Sequence, residues 1–326
     1  MMDKIKLKNL TIDNPIFVGP MAGVSDLSFR LMLADFDPGL IYSEMISAQG
    51  IIYQNEKTID MCRVLDEEKM VALQLFGSDP EMMGIAAEYI DQKTNADIID
   101  INMGCPVQKV VKTGAGSALM QEVDRAHRIV SEIVSRVEKP VTTKIRLGWD
   151  SESQNAVEMA QAMEAAGASM IAVHGRTRAQ MYKGTVNRDA IREVKESVSI
   201  PVIANGDIKT VEDALTMFDD TGADAIMISR AILHNPWLID EIKAALQGEV
   251  YEERMTIPER FAWLRERFVL MIELQGETQA TRRMRGFSAW FVSGLPKSRE
   301  LKMSFIRMQN LAEFDTIVKE YLEKEV

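Results

Sequence analysis

The sequence has few residues of the kinds that bind metals or form disulfides. Its 326 residues include two cysteines, Cys62 and Cys105, and three histidines, His127, His174 and His234. The cysteines lie far apart without a CxxC spacing, and the histidines form no metal-ligand pattern. We therefore expect neither a disulfide nor a bound metal.

Long apolar runs and biased tracts are also missing. No stretch reaches the roughly 18–20 apolar residues that a membrane-spanning helix needs, and the first residues lack the apolar core of a signal peptide. With 46% hydrophobic and 27% charged residues, the composition is that of an ordinary folded protein. These features predict a cytoplasmic protein with no membrane partner, and we expect it to be a monomer.

The acidic net charge hides a local basic stretch. A formal charge of −11 argues against nucleic-acid binding, because phosphates attract basic surfaces. Residues 275–310, however, contain seven basic and only two acidic side chains. The basic ones are Arg282, Arg283, Arg285, Lys297, Arg299, Lys302 and Arg307. The charge pattern therefore leaves room for an anionic partner near the carboxyl terminus.

Eight short apolar runs alternate with amphipathic segments over the first 230 residues. Runs without polar alternation are typical of parallel strands buried on both faces, and eight strands close a (β/α)₈ barrel. The predicted helices include 156–167 and 211–222, each ending in glycine. The predicted strands are 16–19, 40–43, 71–75, 98–101, 141–146, 169–173, 201–204 and 224–228.

The pattern changes after Pro236 and Trp237 to helical periodicity without strands. Helices are predicted over 259–274, 278–292 and 299–324. The fold class is therefore α/β, a TIM barrel followed by an all-helical domain, and we place the boundary between residues 1–244 and 245–326.

Catalytic groups of a parallel barrel lie at the carboxyl ends of its strands, and most of the side chains there are polar in this sequence. The candidate residues are Pro20, Met21, Ala22, Glu44, Gln74, Asn102, Cys105, Lys144, Arg146, His174, Arg176, Asn205, Gly206, Asp207, Ser229 and Arg230. We leave Glu44 unassigned. Gln74 is open to two interpretations, a ligand for a heterocycle or a hydrogen-bonded core amide.

The ends of the seventh and eighth strands carry a phosphate signal. Gly206 permits a close backbone approach, and Arg230 supplies a bidentate charge, which favours a phosphorylated cofactor. The alternative is that 205–207 form only a turn. Lys144, within an apolar run, is better explained by a bound anion than by burial alone. His174 and Arg176, close to Arg178, also favour anion binding.

Cys105 follows the fourth predicted strand in a loop with Gly104 and Pro106. A lone cysteine is often a small apolar filler, but its place at a strand end favours chemistry. An unperturbed thiol is protonated at neutral pH and can donate a proton. The segment 109–117 fits no nucleotide-binding glycine motif, and we interpret its glycines as giving mobility beside the cysteine.

Several segments together resemble the tRNA-dihydrouridine synthases, and in particular the bacterial type B branch. They are PMAGVSD at 20–26, IDINMGCPVQKVVKTGAGSALM at 99–120, TKIRLGWD at 143–150, VHGRTRAQMYKG at 173–184, IANGDI at 203–208 and NPW at 235–237. Two departures stand out, because the family usually has glycine where this chain has Ser229 and His234.

The resemblance implies an FMN enzyme that reduces the C5–C6 bond of tRNA uridines with NADPH as electron donor. Hydride would pass from the flavin to C6, and Cys105 would protonate C5. The implied FMN-binding residues are Pro20, Met21, Ala22, Gln74, Lys144, His174, Asn205, Gly206, Asp207, Ser229 and Arg230. The predicted substrate-binding residues are Asn102, Arg146, Arg176, Arg178, Arg282, Arg283 and Arg285.

Two rival functions remain at this point. An FMN barrel acting on a free pyrimidine, such as a dihydroorotate dehydrogenase, would leave the basic helical region unexplained. A catalytically inert tRNA-binding protein would have no need of Cys105 and Lys144.

Overall fold

The first unit is a closed barrel of eight parallel strands. A computed structural model describes residues 4–251 and 256–325. Its strands are β3 Ile16–Val18, β4 Leu40–Ser47, β5 Val71–Phe76, β6 Ile98–Asn102, β7 Val141–Arg146, β8 Met170–His174, β9 Val202–Asn205 and β10 Ala225–Ile228. They run in chain order around the barrel, and β10 pairs with both β9 and β3 to close it.

Helices follow the strands, and residues that cap helix ends stand where several of them begin or end. Asp79 accepts a hydrogen bond from Met82 N at the start of one helix, and Pro80 occupies its first turn. Another ends at Gly222, in the left-handed region with φ 63°. The helices are α1 Leu27–Leu33, α2 Ala48–Ile52, α3 Glu56–Asp60, α4 Pro80–Lys93, α5 Gln108–Val111, α6 Val123–Arg136, α7 Ala156–Ala165, α8 Arg188–Ser197, α9 Val211–Thr221 and α10 Leu238–Gln247.

An antiparallel hairpin, β1 Ile5–Leu7 and β2 Leu10–Ile12, precedes the barrel. Its buried residues join one apolar cluster with residues from seven of the eight barrel strands, all except β7. This hairpin was not predicted, because strands of three residues are too short to give a periodic signal.

The second unit is helical and comprises residues 230–237 with 250–326. Its helices are α11 Ile257–Gln275, α12 Glu277–Phe291, α13 Ser298–Arg307 and α14 Leu311–Glu325. Aromatic rings form its core: Phe261 lies 6.4 Å from Phe305, and the ring of Phe314 lies 5.3 Å from that of Phe305. The division of roles between two domains stays a prediction.

The predicted barrel with a helical carboxyl-terminal region is confirmed. The single helix predicted over 299–324 is wrong, because α13 ends at Arg307 and α14 begins at Leu311. The chain turns at Met308, whose ψ is 147°, and the Asn310 side chain accepts a hydrogen bond from Glu313 N. No helix within residues 4–251 and 256–325 is long and apolar enough to cross a membrane.

Candidate active site

The barrel interior changes from apolar to polar along each strand. Side chains of a strand alternate between its two faces, and on β6 the inward positions are Ile98, then Asp100, then Asn102. The register places Gln74 beside Asp100 and Lys144 beside Asn102. The predicted polar residues of the central strands therefore meet at the carboxyl end of the barrel.

Lys144 is held in this polar region by an amide. Its Nζ donates to Asn205 Oδ1 at 2.9 Å, and Asn205 Nδ2 donates to Met227 O at 2.8 Å, which orients the amide oxygen toward the lysine. Burial, with a smaller contribution from the charge of Arg146, lowers the pKa of Lys144 to about 7, while Asp100 opposes the shift. Such a cation is stabilised by any anion bound beside it.

Asp100, Gln74 and Asn102 form a continuous chain of hydrogen bonds. Asp100 accepts from Thr142 Oγ1 at 2.6 Å and from Gln74 Nε2 at 2.7 Å. Gln74 Oε1 accepts in turn from Asn102 Nδ2 at 2.7 Å. These contacts are those of a hydrogen-bonded core amide, one of the two interpretations of Gln74. The contact of Gln74 with FMN stays a prediction.

Cys105 lies at the end of this chain. Its backbone N–H donates to Asn102 Oδ1 at 2.8 Å, and its carbonyl accepts from Ser117 N at 3.1 Å and Ser117 Oγ at 2.9 Å. The residue is only 8% exposed. Burial raises the pKa of the thiol, partly offset by a backbone hydrogen bond from Val107 and the charge of Arg146. The thiol therefore stays protonated at neutral pH.

Gly116, in the segment after Cys105, is required by its backbone angle and by close packing. Gly116 has φ 61°, and a Cβ there would lie 2.9 Å from Cys105 O and 3.1 Å from Cys105 Cβ. The segment also contains helix α5 and a 3₁₀ turn over Gly116–Gln121. Close packing against Cys105 thus accounts for Gly116, and the mobility of the segment stays a prediction.

Arg146 joins the cysteine loop to the loop after β8. Its Nε donates to Gly104 O at 2.7 Å, while Nη1 donates to Thr177 O at 2.9 Å and Met181 O at 2.8 Å. The side chain is almost fully buried. Burial lowers its pKa to about 10, so it remains a cation at neutral pH. Through these contacts Arg146 connects the loop that contains Cys105 to the loop after β8. Its contact with substrate stays a prediction.

Arg176 holds the other end of the same loop. It is 2% exposed and donates to Asp207 Oδ2 at 2.5 Å, to Lys183 O at 3.1 Å and to Gly184 O. Asp207 also accepts from Val186 N at 3.2 Å. The two side chains therefore form an ion pair, which leaves each of them fewer hydrogen-bonding groups for a ligand. The contacts of Arg176 with substrate and of Asp207 with FMN stay predictions.

The strand end at Gly206 is closely packed. Gly206 has φ 125°, and a Cβ there would lie 2.6 Å from Val186 Cγ2 and 3.0 Å from His174 Cδ2. His174 is mostly buried, and its ring lies 6.5 Å from that of Tyr182, which is exposed. Close packing therefore requires glycine at this position, and its predicted contact with a phosphate stays a prediction.

The first barrel strand ends in a loop that is fixed from two sides. Met21 N donates to Ser25 Oγ at 3.0 Å, and Gly23 N donates to Glu44. Burial raises the pKa of Glu44, against which the hydrogen bond from Gly23 acts. Glu44, which we left unassigned, therefore supports this loop. Pro20 and Met21 are partly buried, and Ala22 is exposed.

Ser229 and Arg230 follow β10. Ser229 is partly buried, and a Cβ on Gly19 would lie 2.7 Å from its Oγ, so these two strand ends are in close contact. Arg230 is exposed, begins the 3₁₀ turn Arg230–Leu233 and belongs to the helical unit. Within that unit His234 Nδ1 lies 2.8 Å from Trp290 O, a contact that the usual glycine could not make.

The predicted RNA-binding arginines differ in their surroundings. Arg282 and Arg283 are exposed on α12. Arg285, on the same helix, donates to Met308 O at 2.7 Å and Gln309 Oε1 at 2.9 Å and so supports the break between α13 and α14. Arg178 lies 4.4 Å above the ring of Trp149. Its buried Nε has no acceptor among the described residues.

Asp100 and Thr142 are buried polar residues for which no role was predicted from the sequence. A usable signal was present, since an aspartate inside an apolar run needs partners as much as Lys144 does. Both cysteines are free. In the described part of the chain no cluster of histidine, cysteine and carboxylate side chains could hold a metal.

The closed barrel and the polar carboxyl ends of its strands place the protein in the (β/α)₈ class. A variant of NCR from Zymomonas mobilis has a similar structure, with a TM-score of 0.55 and 16% identity over 77% of this chain and 92% of that one. HisD, a 6-hydroxypseudooxynicotine amine oxidase from Pseudomonas geniculata N1, has a TM-score of 0.59 and 14% sequence identity, and the match covers 82% of this chain and 52% of HisD. Similarity at this level shows the fold alone.

Sequence comparison identifies the family within this class. Residues 17–326 match the family model described as dihydrouridine synthase. The tRNA-dihydrouridine synthase B of Shewanella oneidensis is 38% identical, covering 96% of this chain and 97% of its own. A probable tRNA-dihydrouridine synthase of Rickettsia conorii is 37% identical, covering 97% and 98%. The chain belongs to the dihydrouridine synthase family, which confirms the resemblance to its type B branch.

Proposed function

We propose that the protein reduces the C5–C6 double bond of uridines in tRNA, with FMN as cofactor and NADPH as electron donor. The observation that carries the proposal is the protonated, mostly buried Cys105 thiol at the same barrel mouth as the buried amine of Lys144. The curated relatives named tRNA-dihydrouridine synthases support the choice of reaction.

The residues present fit an anionic cofactor. Lys144 is a buried amine whose Nζ donates to the neutral amide of Asn205, and its lowered pKa would rise again beside an anion. FMN would supply the hydride that goes to C6 of the uracil. Pro20, Met21, Ala22, Gln74, Lys144, His174, Asn205, Gly206, Asp207, Ser229 and Arg230 are the residues proposed to hold it.

Cys105 would deliver the proton to C5. Because burial raises its pKa, the thiol is a proton donor across the neutral range and a poor nucleophile. Lys144 would stabilise the negative charge of the reduced flavin. Asn102 would lie beside the base. A uracil in folded tRNA is stacked, so it has to be extruded to reach this depth in the barrel.

The helical unit would bind the tRNA. Its exposed Arg282 and Arg283 lie next to each other on α12 and offer charge to phosphates. Arg285 would act mainly by holding the turn between α13 and α14. We further propose that the protein works in the cytoplasm as a monomer.

Replacing Cys105 tests the proposed chemistry. Purified Cys105→Ala is expected to keep bound flavin and NADPH oxidation, but to lose dihydrouridine formation by about 100-fold or more, the usual range for a lost general acid. Cys62→Ala is the matched control, because Cys62 is a buried cysteine outside the barrel mouth. Full dihydrouridine formation by Cys105→Ala would contradict the proton-donor role.

A further inference from the structure

Asp100 is a fully buried carboxylate for which the mechanism above has no use. It is 0% exposed and lies one inward position below Asn102 on β6. Burying a carboxylate is costly, and burial raises its pKa to about 6 against the hydrogen bonds from Thr142 and Gln74 and the charge of Lys144. At neutral pH it is still ionised. A group kept at such cost in the barrel interior needs an explanation.

An ionised carboxylate only accepts hydrogen bonds, and this gives the chain of contacts a direction. Asp100 Oδ2 faces Gln74, so the amide nitrogen of Gln74 has to point to it, at 2.7 Å. The amide oxygen of Gln74 is thereby turned away, toward Asn102. A reversed Gln74 amide would set its oxygen against the carboxylate.

The orientation of the Gln74 amide in turn fixes the orientation of Asn102, which holds the backbone at Cys105. With Gln74 Oε1 as acceptor, Asn102 has to present Nδ2 to it, and Asn102 Oδ1 then faces the backbone. There it accepts from Cys105 N at 2.8 Å and Gly104 N at 3.2 Å. A reversed Asn102 would direct its NH₂ group at these two N–H groups, and the loop would lose its anchor.

We propose that Asp100 is a positioning residue for Cys105, because it fixes the amide orientations of Gln74 and Asn102 and through them the backbone at the thiol. The proposal rests on the proposed function for the role of Cys105 in the reaction. The position of the thiol, however, is a property of this chain and can be measured without turnover.

Substitution by asparagine separates orientation from charge. The amide of Asp100→Asn has two orientations, but only one of them lets Gln74 keep its oxygen on Asn102, whose own oxygen is held by two backbone N–H groups. In that orientation the side-chain oxygen accepts from Gln74, and the NH₂ group donates to Thr142, whose hydroxyl rotates to accept. Asp100→Ala removes the acceptor, so Gln74 loses its preferred orientation. A positioning role predicts that asparagine rescues the defect of alanine. A role that depended on the negative charge predicts that both variants fail alike.

The experiment measures dihydrouridine formation, bound flavin and the rate of Cys105 alkylation by iodoacetamide for wild type, Asp100→Ala and Asp100→Asn. Asp100→Ala is expected to lose about 100-fold in product formation, as for a misplaced catalytic group, and to change the alkylation rate severalfold. Asp100→Asn should stay close to wild type in both. Asp97→Ala is the control: this carboxylate precedes the same strand and accepts from Val71 N, and its loss should leave Cys105 alkylation unchanged.

A second variant covers a failure of Asp100→Ala to fold. Gln74→Met interrupts the same chain one step closer to Cys105 and should reproduce the altered alkylation rate. Wild-type alkylation and product formation in the folded alanine variant, or in Gln74→Met, would overturn the proposal, as would an asparagine variant as defective as alanine. If Cys105→Ala itself keeps full product formation, the proposed proton donor fails, whereas the alkylation rates still decide the role of Asp100.

Discussion

The charged side chains of the two units differ in how deeply they are buried. In the barrel unit, Arg30, Arg146 and Arg176 are at most 3% exposed, and each is hydrogen-bonded to carboxylate or carbonyl oxygens. On α12 of the helical unit, Arg282 and Arg283 are exposed. A buried guanidinium has to be paired within the fold, whereas an exposed one can meet phosphates. Buried arginines therefore connect segments of the barrel unit through hydrogen bonds, whereas Arg282 and Arg283 place positive charge on the surface of α12.

The largest effect is expected for the ion pair between Arg30 and Glu68. Both side chains are 1% exposed, and Arg30 Nε donates to Glu68 Oε2 at 2.6 Å. Glu68→Ala leaves an unpaired cation in the interior, so the free energy of unfolding should fall by about 3–5 kcal/mol. Urea denaturation measures it. Glu67→Ala, at an exposed neighbouring position, should change it by at most about 0.5 kcal/mol.

Lys144 should make the stability of the flavin-free protein depend on pH. Its pKa is about 7 in the folded protein against an ordinary value of 10.5, so the unfolded chain binds more protons between these values. Stability contributed by this residue is present above pH 10.5 and is lost as the pH falls to about 7. Denaturation midpoints between pH 7 and 10, compared with those of Lys144→Met, check the sign. An identical pH dependence in both would contradict the shift.

A smaller effect is expected for the surface arginines, and it concerns binding. Arg282→Glu with Arg283→Glu should weaken tRNA binding about tenfold and lower the salt dependence of the affinity by about one unit of slope per lost phosphate contact. Flavin content should be unchanged. The control, Lys319→Glu with Lys324→Glu on α14, makes the same charge change at exposed lysines. Equal effects of both pairs would mean that only net charge matters.

The smallest effect is expected for the exposed ion pair of the helical unit. Arg265 Nε lies 2.7 Å from Asp315 Oδ1, but the two side chains are 48% and 41% exposed. Asp315→Ala should lower the free energy of unfolding by less than about 1 kcal/mol, measured as for Glu68. A loss as large as that of Glu68→Ala would remove the distinction between the two units.

The barrel could be predicted because its signal is repeated eight times along the chain. Apolar runs locate the strands, and the observed strand β7, Val141–Arg146, coincides with the predicted run. The hairpin of β1 and β2 has only three residues in each strand. The break at Met308 depends on backbone angles that residue types do not specify.

The residues at the mouth could be predicted more fully than their contacts. Strand ends locate Cys105, Lys144 and Asn205, which the structure brings to one region. Arg146 and Arg176 were chosen for their charge, but only the fold reveals the carbonyl groups that they hold. Asp100 was missed because attention to strand ends passes over a residue in the middle of a strand.

Dihydrouridine in tRNA from cells that lack this protein is the most direct test of the proposed function. Restoring the gene should restore dihydrouridine at a defined set of positions, and restoring Cys62→Ala should do the same. Restoring Cys105→Ala at equal protein level should not. Dihydrouridine that is unaffected by loss of the gene, or fully restored by Cys105→Ala, would contradict a reductase that uses this thiol as its proton donor.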